Sequence, residues 1–155
     1  MDSFDYQLLK LMQSNARRTT EEIGQLIGLS ATAVQRRLKT LRQSGVIEKE
    51  IAVLSPVELD GHILVIVEVV LIQGGSSVIN NFKQKTLNYP EVQQCYYVAG
   101  DNDFILVIAA KSMQRYDIIT QELFLDDKTI LKFHSNVVMG NVKVSLEVPL
   151  PSSSS

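Results

Sequence analysis

The hydrophobic period changes once along this 155-residue chain, from helical spacing before Gly45 to short Val/Ile-rich runs after Gly61. A period of 3.6 and a period near 2 do not build one layer, so a helical N-terminal part and a sheet-bearing C-terminal part are predicted. Phe4, Leu8, Leu9 and Met12 make one face of a first helix, capped by Asp2 or Ser3 and ending near Ser14. Thr19 with Glu22 is a capping-box pattern for a second, short helix carrying Ile23, Leu26 and Ile27, and Gly28 suits its left-handed end. Ser30 caps a third helix that Gly45 stops. A tight turn between the second and third helices makes a helix-turn-helix, and Val46 to Leu54 reads as a small strand or wing. The Ser55-Pro56 step and Gly61 mark a linker.

Beyond it, His62 to Ile72 suits a strand, ended by Gly74, Gly75 and Ser76, with Ser76 or Ser77 capping a helix that carries Val78, Ile79 and Phe82. Strands follow over Val92–Val98 and Phe104–Ala110, joined by a turn at Gly100–Asp103. Ser112 caps a helix bearing Met113, Tyr116, Ile119 and Leu123. Strands from Ile130 to Met139 and from Val142 to Val148 close the chain. The fold class is therefore α+β: an N-terminal winged helix-turn-helix, then a ferredoxin-like βαββαβ sandwich with an extra C-terminal strand. The predicted division is 1–50, a DNA-binding domain; 51–62, a linker and crossing strand; 63–150, an oligomerisation domain; and 151–155, a disordered low-complexity tail. Odd and even positions of the first and third strands are both apolar, yet two helices cover only one face of such a sheet. Self-association as a two-fold dimer is the simplest cover for the other face, and it would present two recognition helices to a two-fold symmetric DNA site.

Charge supports the division. The net charge is −2, but residues 1–50 hold eight basic and six acidic side chains, while the remainder holds seven basic and eleven acidic. On the third helix, Val34, Leu38 and Leu41 lie together, and Thr32, Arg36, Lys39 and Gln43 lie opposite with Gln35 at their edge. Arg36 and Lys39 can neutralise phosphate, Arg36 can fork onto guanine, and Thr32 and Gln35 can read base edges. The amides after Ser30 offer a further phosphate contact. Arg37 and Arg42 suit backbone phosphate or an acidic neighbour, and Arg17 and Arg18 suit phosphate contact or an ordinary loop.

The segment Ser30-Ala31-Thr32-Ala33-Val34-Gln35-Arg36-Arg37-Leu38-Lys39, then Leu41, Ser44-Gly45-Val46-Ile47, the turn Gly100-Asp101-Asn102-Asp103 and the ending Val142-Lys143 to Val148-Pro149-Leu150 resemble the leucine-responsive and asparagine-synthetase regulator (Lrp/AsnC) family. The resemblance implies a bacterial or archaeal transcriptional regulator, dimeric through its C-terminal sheets and often octameric. It implies that 63–150 is also ligand-sensing, with an amino-acid effector near Ala99, Gly100, Asp101, Asn102, Asp103 and Ser145. Gly100 permits close backbone approach, turn amides receive a carboxylate, and Asp101 or Asp103 accepts from an ammonium; an ordinary acidic turn accounts for the same residues. Ser145 and Leu146 stand where that family carries paired threonines, which implies a more apolar effector or none.

Two other readings come with this pattern: a sirohaem-decarboxylase-like enzyme on the same two-domain arrangement, and an amino-acid-sensing module without DNA binding. Only two histidines, His62 and His134, are present, and no metal-ligand spacing, nucleophile elbow or phosphate loop appears. A non-enzyme with no metal and no cofactor is predicted. The single cysteine, Cys95, is expected as a small buried residue, and Glu68 as a partner for Lys or a subunit boundary. No apolar run is long enough to span a bilayer, which predicts a cytoplasmic chain.

Overall fold

The computed structural model describes residues 1–151 except Asp60, Gln73 and Gly74. The glycine expected at position 74 to end the first strand, and the tail at 152–155, lie outside the described residues. Two compact units result, one of residues 1–53 with the segment from Lys143 onward, the other of residues 54–142.

In the first unit α1 spans Ser3–Ser14, α2 Thr20–Ile27 and α3 Ala31–Gln43. Each start is set by a side chain. Asp2 and Asp5 form a reciprocal capping box on α1, Thr19 and Glu22 another on α2, and Ser30 Oγ accepts from the Ala33 N–H on α3. Leu8, Leu9, Met12, Ile23, Val34, Leu38 and Leu41 fill the buried core between the helices. The turn between α2 and α3 depends on a glycine inside α2. A Cβ on Gly24 would stand 2.4 Å from the Leu29 carbonyl oxygen, whose own N–H donates to the Gly24 carbonyl at 2.9 Å.

The second unit is a four-stranded antiparallel sheet in the order β2-β3-β1-β4, with β1 at Ile63–Leu71, β2 at Val92–Tyr97, β3 at Phe104–Ala110 and β4 at Ile130–Val137. Helix α4 (Ser76–Leu87) joins β1 to β2, and α5 (Met113–Thr120), extended by a π-helical turn over Gln121–Leu125, joins β3 to β4. Alternation sends Val65, Val67, Val69 and Leu71 of β1 and Phe104, Leu106, Ile108 and Ala110 of β3 toward the helices. There they bury Phe82, Tyr116, Ile119, Leu123 and Phe124. The opposite positions of β1 and β3, among them Ile66, Val70, Ile105 and Val107, form a face that, among the described residues, no helix of this unit covers.

Several expectations change. The strand expected over Val142–Val148 does not join the sheet, because that segment returns to the helical unit, where the Gln13 side chain takes both backbone hydrogen bonds of Val148. The wing expected over Val46–Leu54 has no ladder, since no neighbouring strand among the described residues supplies partners. The N-cap of α4 is Gly75, without a side-chain hydrogen bond, rather than Ser76 or Ser77. Cys95 is exposed rather than buried, because β2 is an edge strand.

Two predictions follow from the packing. In an open helix Gly→Ala gains about 1 kcal/mol, but overpacking against a fixed carbonyl costs about 1–3 kcal/mol, so Gly24→Ala is expected to lower the melting temperature of the helical unit. The second concerns acid. Burial pushes the Asp127 carboxyl up, but the Thr129 hydroxyl and N–H and the Lys85 ammonium outweigh it and hold the pKa below the ordinary aspartate value. A lowered folded-state pKa gives stability that is present above the unfolded value and lost as pH falls through the folded one. Asp127→Asn is therefore expected to lose stability at neutral pH and to show a flatter decline on acidification below about pH 5, as read by thermal melts.

Candidate nucleic-acid interface and effector turn

Helix α3 carries four cations, and the fold treats them differently. Arg37 lies toward α1, where its guanidinium meets Asp5 at 2.7 Å and Asp2 at 2.9 Å and stands 5.6 Å from the centre of the Phe4 ring. Those hydrogen bonds, the one to Asp5 foremost, raise its pKa further, while Asp2 is held below the ordinary aspartate value by the Asp5 N–H and then by Arg37. Arg42 pairs with Glu50 at 2.8 Å. Arg36 and Lys39 are exposed and form no ion pair among the described residues.

Thr32 and Gln35 are also exposed on α3, while Val34, Leu38 and Leu41 are buried. The helix thus turns an apolar stripe inward and a polar, cationic stripe outward. Ser30 is occupied as the N-cap, and the first amides of α3 open toward the same end. In the loop before α2, Arg17 is exposed, and Arg18 is half-buried with its Nε atom unpartnered. Of the sequence-derived candidates, Arg37 is thus absorbed by the domain's own acids, because two carboxylates of α1 lie within its reach. Gly24, which holds the α2–α3 turn that presents this face, is the position that sequence reasoning passed over. Its signal is a glycine within an apolar helical pattern, which marks close backbone approach.

In the sheet unit, residues 98–103 turn β2 into β3. Val98 N–H donates to the Asp103 carbonyl at 2.9 Å, and Asp103 N–H donates to the Val69 carbonyl at 2.9 Å. The Asp103 carboxylate accepts the Leu71 N–H at 2.7 Å, where the ladder of β1 with β3 has run out. One of its oxygens is therefore committed to holding the turn against β1. Ala99, Gly100 and Asp101 are exposed, and Asn102 is half-buried. Gly100 has φ +155° with open space where a Cβ would stand. Ser145 belongs to the other unit, and its hydroxyl accepts the Glu147 N–H at 3.1 Å. Glu68, on the uncovered sheet face, lies in register with His134 of β4 and Ile105 of β3. Among the described residues no cluster of three potential metal ligands occurs, and no helix is long and apolar enough to cross a membrane.

Known proteins share both units. Residues 1–42 match the model of the AsnC-type helix-turn-helix domain, and residues 64–148 match the Lrp/AsnC ligand binding domain. An uncharacterised HTH-type transcriptional regulator of Sinorhizobium fredii is 41% identical over 97% of this chain and 89% of its own length. The leucine-responsive regulatory protein of Escherichia coli is 31% identical over 94% of this chain and 88% of its own. Among solved structures, an AsnC family transcriptional regulator from Agrobacterium tumefaciens superposes with a TM-score of 0.88 at 25% identity, covering 96% of this chain and 97% of that one.

Proposed function

The chain belongs to the Lrp/AsnC family of transcriptional regulators, and on that premise we propose that it binds duplex DNA through the outer face of α3 and that an amino acid tunes this binding or the assembly of the protein. The observation that carries the reading is the division of the four cations of α3. Two are neutralised inside the domain, and the two left without partners share one face with Thr32 and Gln35. A helix that spends some cations on its fold and keeps others exposed beside neutral hydrogen-bonding groups suits the major groove.

In this reading Arg36 contacts guanine or phosphate and Lys39 phosphate, Thr32 and Gln35 meet base edges, and the amides beyond Ser30 with Arg17 and Arg18 hold the backbone. Arg37 has a different task, fixing α3 to α1. A second copy covers the apolar sheet face and gives a two-fold homodimer that reads a two-fold symmetric site, with octamers as the higher assembly.

The effector site we propose is the turn Ala99, Gly100, Asp101, Asn102 and Asp103. The amino-acid class is supported by the leucine-responsive name of a relative aligned over most of the chain. With Asp103 engaged by Leu71, Asp101 is the free carboxylate for an α-ammonium, and the turn amides face an α-carboxylate.

Fluorescence anisotropy on a duplex from upstream of the chain's own gene tests the interface. Arg36→Ala with Lys39→Ala is expected to weaken binding by about 30-fold or more and to reduce the salt slope by about 2, whereas Arg37→Ala lowers thermal stability and leaves that slope unchanged. Retained affinity in the double variant would remove α3 as the reading helix. For the effector, a thermal-shift screen of the standard amino acids is expected to raise the melting temperature with at least one of them. Asp101→Ala should abolish that shift, and an undiminished shift would place the site elsewhere.

A further inference from the structure

The chain crosses between its two units twice, leaving the helical unit after Val53 and returning to it at Lys143. Both connectors spring from the same end of the sheet. Strand β1 begins at Ile63, and its antiparallel neighbour β4 ends at Val137, with the Val138 N–H donating to the Leu64 carbonyl at 2.8 Å. One connector continues from α3, and the other arrives on α1.

That arrival is held by specific contacts. Gln13, in the last turn of α1, donates from Nε2 to the Val148 carbonyl at 3.1 Å, and its Oε1 accepts the Val148 N–H at 2.7 Å. A carboxamide offers the same donor and acceptor as a peptide unit, so Gln13 stands in for the neighbouring strand this segment lacks. Two residues on, Leu150 packs against the helical core beside Leu11, Ile27, Leu29 and Ile47. Pro149 and Pro151 flank it, which biases Val148 and Leu150 toward extended conformations and narrows the ensemble given up on docking. The matched ligand-binding model runs through 148, so it counts most of this segment with the sheet rather than with the helices it touches.

We infer that residues 143–150 are a strap that couples the ligand-binding unit to the DNA-binding helices, with Gln13 as its positioning residue. A single connector between two units transmits little. Two connectors that leave neighbouring strands and end on different helices convert a shift of β1 against β4 into stress between α3 and α1.

Amide hydrogen exchange on the full chain tests this without any ligand or DNA, so it stands or falls separately from the proposed function. The Val148 amide is expected to be protected, and Gln13→Leu to speed its exchange by about ten-fold while leaving β1–β4 unchanged. The decisive readout is remote. Val67→Ala, a cavity in the core of the sheet unit, is expected to accelerate exchange in α1–α3, and Gln13→Leu to abolish that effect. A purely structural Gln13 would loosen α1 by itself yet leave the remote effect intact. An equal remote effect in both backgrounds, or none in either, overturns the coupling, and an unprotected Val148 amide overturns the strap. Gln13→Glu keeps the acceptor and removes the donor, and it carries the same cycle if Gln13→Leu unfolds the helical unit.

Discussion

Strand β1 is the constraint on which the sheet unit depends. It pairs with β3 on one side and β4 on the other, and its buried positions Val65, Val67, Val69 and Leu71 meet the core beneath both helices. Among the described residues the unit has two α-helices, and the connections of a βαββαβ chain bring them to the same side of the sheet. The alternate positions of β1 and β3 are nevertheless almost all apolar. Monomers seldom leave such a surface to water. The same geometry sets the exits of the chain, because the free ends of adjacent β1 and β4 are where both connectors to the helices begin.

Helix α3 shows how one short element meets two demands. Its inward stripe stabilises a core of seven buried side chains, and Arg37 anchors its flank on the first turn of α1. Asp2 and Asp5 serve twice there, capping α1 and receiving the guanidinium, so the start of one helix and the middle of another are tied by the same carboxylates. Removing a cation from the outward stripe leaves that framework intact. The packed face and the exposed face can therefore vary independently along a single helix.

The parts of the fold written in local chemistry were legible before any coordinates. The cap at Asp2, the capping box at Thr19, the Ser30 and Ser112 caps and the left-handed Gly28 place five helix boundaries, and the apolar runs place four strands. What was not legible depends on distant partners. The alternation of Val142, Val144, Leu146 and Val148 reads as a strand, but a strand exists only where another backbone accepts it, and here a glutamine side chain from 135 residues away does so instead. Arg37 shows the same limit: helical periodicity puts it beside the recognition face, and only the docking of α1 reveals the carboxylates that claim it. Cys95 was misplaced because composition does not disclose which strand lies at the edge.

The turn at Gly100–Asp103 separates holding from binding in a similar way. An aspartate in a turn can serve the backbone or a ligand, and residue type does not distinguish the two. Asp103 is divided: one carboxylate oxygen fixes Leu71 of β1, and its own N–H and C=O bind Val69 and Val98. A ligand that drew on this carboxylate would compete with the hydrogen bond that secures the end of β1, so occupancy of the turn and the position of β1 are linked by one side chain. A change in how firmly Leu71 is held is already a change in β1.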